Sequence, residues 1–246
     1  MIKILNTSQI KELDAFTIRK EPIASINLME RACGAFVDWF IQRSDSSKSI
    51  LIVCGTGNNG GDGLGIARLL SLMPYRIKVY VVGDIASGSL DFTENLRRLP
   101  DRVERINLTG SGEVDFPSCD IVIDALFGSG LSRSLEGVNA QVVSALNQLN
   151  AIRIAVDIPS GLRADSHSDG SIFQAHYTVT FQLPKLSFLL PQYYSFVGEW
   201  HCVDIGLSST FIKESQTKNY VVDEATVRKL IQPRKSLIIK VILDIP

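Results

Sequence analysis

Residues Gly55 to Gly63 read GTGNNGGDG and follow the apolar run SILIVC directly. Gly55, Gly57 and Gly60 satisfy G-x-G-x-x-G between a strand and a helix, the setting in which backbone amides and a helix N-terminus take up a pyrophosphate. Asn58, Asn59 and Asp62 add two amides and a carboxylate where such a loop ordinarily keeps small residues. Asp62 also reads as a first-turn acid favoured by the helix dipole, and the asparagines as turn residues that tolerate left-handed backbone angles.

Two more apolar runs end in the same style. DIVIDALFGSG puts Asp124 ahead of Gly128 and Gly130, and IRIAVDIPSG puts Asp157, Ser160 and Gly161 at its close. A single aspartate of this kind is commonly a turn or cap residue. Three strand ends with one grammar belong instead to the rim of a parallel sheet where ligands bind. Brought together, Asp62, Asp124 and Asp157 repel each other and any phosphate, so either a bound cation or a raised carboxyl pKa must relieve them. The available donors are oxygens: amide carbonyls, carboxylates, the Ser160 hydroxyl and the backbone. Such a mixed, weakly charged set suits a monovalent or loosely held cation better than a transition metal.

The elements that position these residues follow from periodicity. Ile10, Leu13, Phe16 and Ile18 recur at near-helical spacing, and a second helix runs from about Ser25 through LMERACGAFVDWFIQ. From residue 49, β-rich runs (SILIVC, RIKVYVVG, CDIVIDALFG, IRIAVDIPSG) alternate with amphipathic stretches (GLGIARLLSLM, LDFTENLRRL, EGVNAQVVSALNQL). That alternation predicts an α/β fold with a mainly parallel central sheet covered on both faces. The last third, with HYTVTF and FVGEWHCVDIG and few helical residues between, is expected to finish the sheet with shorter, antiparallel strands.

Composition narrows the class. The 246 residues carry 25 basic and 26 acidic side chains, net −1, which lacks the electrostatic footprint of a nucleic-acid binder. Cys33, Cys54, Cys119 and Cys202 stand far apart, without metal spacing or a disulfide framework. No apolar run reaches the ~20 residues that span a bilayer, so a soluble cytoplasmic protein is expected. His167, His176 and His201 are isolated and read as surface or hydrogen-bonded residues.

GTGNNGGDGLGIAR, DALFGSGLSR and DIPSGL, with LMERA before them and TFQLPK after, closely resemble the YjeF N-terminal family over roughly residues 5 to 230. The resemblance implies a three-layer αβα Rossmann-like domain, usually a homodimer. Its enzyme members interconvert the R and S epimers of NADHX and NADPHX, reduced cofactors damaged by water addition at C6 of the nicotinamide ring. The S form then passes to an NAD(P)H-hydrate dehydratase.

The family's roles fall on matching positions here. Asn58, Asn59, Gly60, Gly61 and Asp62 would contact the hydrated dinucleotide, and the turn Gly128, Ser129, Gly130, Leu131, Ser132, Arg133 and Ser134 would hold its phosphates. Asn59, Asp124 and Ser160 would ligate one potassium ion per subunit, with no tightly bound organic cofactor. Asp157 would bind substrate. Inverting C6 wants an acid or base near its oxygen, for which Asp157 stands first and Asp124 second. Lys185, in TFQLPK, would neutralise phosphate or assist proton transfer, unless it is a solvated surface lysine.

Cys33 and Arg163 depart from the family pattern without touching these positions. Residues 1–230 are read as the epimerase domain, and 231–246 as a tail, the stub of a lost or frame-shifted dehydratase domain. Two other readings compete: a noncatalytic nucleotide-binding scaffold of the same fold, and a nicotinamide-dependent oxidoreductase with Asp84 holding a ribose.

Overall fold

The computed structural model describes residues 1–110 and 114–231; the tail expected at 231–246 therefore lies, beyond its first residue, outside the described residues. The chain opens with β1 (Ile2–Lys3), α1 (Thr7–Lys20) and α2 (Ser25–Ile41), followed by β2 (Ser49–Cys54), α3 (Asn58–Leu70) and β3 (Arg76–Val82). Then come α4 (Leu90–Arg98), β4 (Glu104–Leu108), β5 (Ile121–Ala125), α5 (Gly137–Gln148) and β6 (Ile152–Val156). β7 (Tyr177–Phe181), α6 (Tyr194–Val197), β8 (Glu199–Val203), α7 (Ser209–Glu214), β9 (Tyr220–Val221) and α8 (Glu224–Leu230) complete it.

Seven strands form one sheet in the order β4-β3-β2-β5-β6-β7-β8, and every neighbouring pair is parallel. The antiparallel finish expected from the last third is therefore wrong. The loops after β6 and β7 are long enough to carry the chain back to the starting edge, with segments such as Leu186–Leu189 and α6 filling the crossover. β4, rich in charge (ERINL) and on the edge, gave no sequence signal because its residues are mostly exposed. β1 and β9 form a separate antiparallel pair.

The buried run of β2 shows how the layers close. Ile50, Ile52 and Cys54 pack with Phe36, Phe40, Leu64 and Phe92 of α2, α3 and α4, whereas Leu51 and Val53 pack with Val142, Val143 and Leu146 of α5. Alternate residues of an extended chain point to opposite faces, so an uninterrupted apolar strand requires a helix layer on each side. This is the three-layer αβα arrangement.

α1 stands apart from these layers. Asn6 caps it in a capping box with Gln9, and Leu13 anchors it in a third apolar cluster with Leu5, Leu28, Leu183 and Ile205. Thr7 ties its start down, bonding Asp165 through both its backbone N–H and its hydroxyl at 2.6 Å. The helix is thereby fixed beside the carboxyl ends of the strands. No helix among the described residues is long and apolar enough to cross a membrane.

Candidate active site

The carboxyl ends of β2, β3, β5 and β6 open into a cavity of about 780 Å³, of the size that small-molecule sites take. One wall is the start of α3. Gly57 is its N-cap and supplies no side-chain bond, and Gly61 N–H makes the first intrahelical bond, to Gly57 C=O. The amides of Asn58, Asn59 and Gly60 are consequently free for an anion. Gly55 and Gly60 permit this geometry: a Cβ on Gly55 would fall 2.1 Å from Leu126 C=O, and one on Gly60 would fall 1.8 Å from Gly55 C=O.

Opposite stands the turn after β5, of which Gly128 through Arg133 line the cavity. Ser134 does not: its hydroxyl donates to Asp169, which also pairs with Arg163 at 2.5 Å, so the Arg163 departure is absorbed into a structural ion pair. Gly60 and Gly61 likewise lie beneath the lining, packed on the Gly55 backbone and on Met29 and Phe92. The asparagines take no left-handed backbone angle, and Asp62 sits in the second helical turn, not the first. Both bland readings of that loop are set aside.

The cavity floor is built by two strand ends of identical design. Ile158 N–H bonds Val156 C=O at 2.8 Å across Asp157, whose φ is +65°, and Leu183 N–H bonds Phe181 C=O at 2.7 Å across Gln182, whose φ is +60°. Each is a γ-turn with a positive-φ centre, a rare and strained form for a non-glycine residue, costing roughly 1–3 kcal/mol. Each is followed by the same pattern, D-I-P-S and Q-L-P-K, in which proline holds the preceding residue extended. The turns persist because neighbours fix them: Asp157 N–H bonds Val179 C=O, and Gln182 Oε1 accepts from Ile205 and Leu207 N–H.

The pair delivers Asp157 and Lys185 to each other. Lys185 Nζ lies 2.5 Å from Asp157 Oδ1 and 2.6 Å from Thr180 Oγ1, and is 3% exposed. The solvated-lysine reading is excluded. Burial is the largest influence on Asp157 and pushes its carboxyl up, but the Lys185 ammonium and bonds from Phe181 N–H and Thr180 outweigh it, and the net direction is down. All of these donors go to Oδ1, so Oδ2 of this cavity-lining residue has no hydrogen-bond partner among the described residues.

Asp124 and Ser160 lie behind this floor. Asp124 accepts from Ser160 N–H at 2.8 Å, Ser160 Oγ at 2.7 Å and Leu126 N–H at 3.2 Å, and Ser160 Oγ in turn accepts from Phe127 N–H. Both residues are fully buried and neither lines the cavity, so Asp124, expected as the second choice of acid or base, lies behind the floor and not in it. Burial raises its carboxyl to about 6, against the three donors, and among the described residues no basic side chain pairs with it.

The surroundings fit an oxygen-ligated cation. Asn59 is buried with its amide nitrogen unpartnered, and turning the amide by half a rotation presents an unpartnered carbonyl oxygen instead. Gly128 packs against that side chain, a Cβ there falling 3.3 Å from it. No cluster of three His, Cys, Asp or Glu that could hold a metal ion occurs among the described residues.

Sequence reasoning missed Asp14. Ile10, Lys11, Asp14 and Ile18 of α1 line the cavity, so a carboxylate interrupts the helix stripe that faces it. Burial and then Asp157 raise its carboxyl to about 6, Lys185 pulling the other way. Asp62 is pushed well up by burial, then by Asp157, Asp14 and Asp91. Asp84 accepts from Ala86 N–H as a cap and is exposed just beyond the lining residues Val82 and Gly83. His167, His176 and His201 also lie outside it, bonded to Tyr193, Arg153 and Glu199.

A model of the YjeF-related protein N-terminus matches residues 25–187. The chain belongs to this YjeF N-terminal family. It is 35% identical to the NAD(P)H-hydrate epimerase of Lentilactobacillus buchneri, over 84% of this chain and 96% of that one, and 33% identical to the NAD(P)H-hydrate epimerase of Rhodopirellula baltica, over 85% and 87%. It is also 37% identical to the bifunctional NAD(P)H-hydrate repair enzyme Nnr of Thermofilum pendens, covering 88% of this chain but spanning 43% of that protein's length. The yeast protein ynu0 shares the family fold at a TM-score of 0.62, covering 75% of this chain and 82% of its own, with 19% identity.

Proposed function

We infer that this member of the YjeF N-terminal family is an NAD(P)H-hydrate epimerase that interconverts the R and S forms of NADHX and NADPHX. The observation that carries this reading is the cavity floor: an ionised carboxylate, Asp157, locked by a buried lysine on one oxygen and without a hydrogen-bond partner among the described residues on the other. On either side stand the uncapped start of α3 and the Gly128–Arg133 turn, the two anion-binding elements a dinucleotide requires.

The chemistry follows from that placement. Inversion at C6 requires the C6 oxygen to leave and return, or the ring to open and reclose, and each route moves a proton at that oxygen. Asp157 Oδ2 takes or returns it, while Lys185 keeps the carboxylate ionised and fixed. Arg133 and the free amides of Asn58 and Asn59 bind phosphate, and Asp62, its carboxyl pushed up by burial and by Asp157, Asp14 and Asp91, faces the ligand from α3.

Potassium belongs in the same reading, held by Asn59, Asp124 and Ser160. When bound, a monovalent cation supplies charge compensation for the buried Asp124 carboxylate and stiffens the junction of the phosphate turn. A homodimer, a cytoplasmic setting and functional coupling to an NAD(P)H-hydrate dehydratase are carried by the family resemblance.

The test is chromatographic separation of R and S forms after purified protein is added to one isolated NADHX epimer, with and without potassium. Rapid equilibration is expected. A folded protein that binds nucleotide and leaves the epimer unchanged is a scaffold, and the reading falls.

A further inference from the structure

Resting on the epimerase reading, we propose that Asp14 is a second catalytic residue, exchanging a proton with the C6 oxygen on the ring face that Asp157 does not serve. Inversion by departure and return of oxygen needs a proton carrier on each face, because water leaves from one side and enters from the other. Asp157 is one carrier, at the end of β6. The cavity offers a second carboxylate from a separate element, α1.

Asp14 is placed on the cavity side of a helix that is held in position. Leu13 and Thr17 on either side of it are fully buried, the Thr17 hydroxyl bonding Leu13 C=O and receiving Ser208 N–H, so the helix cannot roll. Thr7 also bonds Ser129 C=O at 3.3 Å, holding the helix start against the phosphate turn. Asp14 itself accepts no hydrogen bond among the described residues, and it faces Asp157 and Lys185 from the strand ends, Asp62 from α3 and Lys11 on its own helix. A half-buried carboxylate without a protein partner, on the cavity side of a pinned helix, is open to a ligand.

The two carboxylates are tuned apart, Asp157 downward by Lys185 and Asp14 upward to about 6, the division that separates a base from an acid at one site. In the step, neutral Asp14 protonates the C6 hydroxyl, the C6–O bond breaks, and the N1 lone pair forms the N1=C6 bond. Water departs. A second water adds to the other face of C6, gives its proton to the Asp157 carboxylate, and the π electrons return to N1. Asp14 ends ionised and Asp157 protonated, ready for the reverse inversion or for reset by solvent.

The active form therefore holds one proton between the pair. Log kcat/KM is expected to fall with unit slope as pH rises past about 6, the limb that Asp14 sets.

The experiment compares wild-type protein with Asp14→Asn and Asp14→Glu for equilibration of one NADHX epimer across pH 5 to 9, together with melting temperature. Asp14→Asn should lose on the order of 100-fold in kcat with KM within about threefold, and the limb near pH 6 should vanish. Asp14→Glu should keep the limb at a reduced rate. A carboxyl raised by its surroundings opposes folding above its unfolded pKa, so Asp14→Asn at pH 8 should melt at or above wild type. Asp14→Asn with wild-type kcat and the same pH profile, a loss confined to KM, or a loss that tracks a lower melting temperature would each overturn the role of Asp14 alone. A wild-type protein that leaves the epimer unchanged overturns the epimerase reading and takes this role with it.

Discussion

Strand β5 has an aspartate at each end, and the two are held in opposite ways. Asp120, just before the strand, accepts from Ser49 N–H and Oγ at 2.8 and 2.6 Å and pairs with Lys48 at 3.3 Å; Ser49 and Lys48 hold its carboxyl down to about 2. Asp124, at the other end, has only neutral donors and is raised by burial to about 6. The same contrast divides the two rims of the sheet. At the amino ends Arg153 is bonded to Gln174 and Leu149 C=O and contacts His176, while at the carboxyl ends Asp14 and Asp62 line the cavity with carboxyls pushed up. At the carboxyl rim, among the described residues, only Asp157 has a basic partner, Lys185, while Asp14, Asp62 and Asp124 are raised chiefly by burial, the pattern that marks a site arranged for chemistry.

The sharpest way to break that comparison is Asp157→Asn. If the carboxyl rim does the chemistry, kcat for NADHX epimerisation should fall by roughly 10²–10⁴-fold while nucleotide still binds. The substitution also leaves Lys185 buried without its anion, at a cost of about 3–5 kcal/mol for one broken partner of a buried pair. Asp157→Asn combined with Lys185→Met should recover most of the melting temperature and none of the activity. Recovery of activity would move the chemistry away from this pair.

The strand ends were legible from sequence because apolar runs closing on D-A-L-F-G and D-I-P-S-G can only be buried strands with polar tips, and parallel strands share a rim. What the sequence hid was depth. Asp124 and Asp157 look alike in one dimension, yet one lies under the floor and the other in it, because β6 ends in a strained γ-turn that swings its aspartate outward. Asp14 was hidden differently: a charged residue on an amphipathic helix normally marks the solvent side, and only the placement of α1 across the rim reverses that sense. The parallel pairing of β7 and β8 was unreadable because it is set by the crossover path, not by residues within the strands.

A smaller effect sharpens the comparison at Asp124 itself. If its missing counter-charge is a monovalent cation, Asn59→Ala and Ser160→Ala should raise the potassium concentration for half-maximal activity by about 10–100-fold, with less change in the rate at saturating potassium. Titration of each variant with potassium against a constant ionic strength reads this directly. Variants that lose activity without any change in the potassium curve would assign the Asn59, Asp124 and Ser160 cluster a purely structural role.

The smallest effect on catalysis is expected at the opposite end of the same strand. Asp120→Ala removes the anion that joins Lys48 and Ser49 to the start of β5, far from the cavity, so epimerisation should stay within about twofold of wild type. Its signature is in stability. A carboxyl whose folded pKa is depressed contributes stability that is present above its unfolded value, near 3.8, and is lost as pH falls through about 2. The melting temperature of Asp120→Ala should therefore lie below wild type at pH 7, and the gap should narrow steadily between pH 4 and pH 2. A constant gap across that range would mean that Asp120 acts through its packing and not its charge, and the contrast between the two ends of β5 would lose its electrostatic basis.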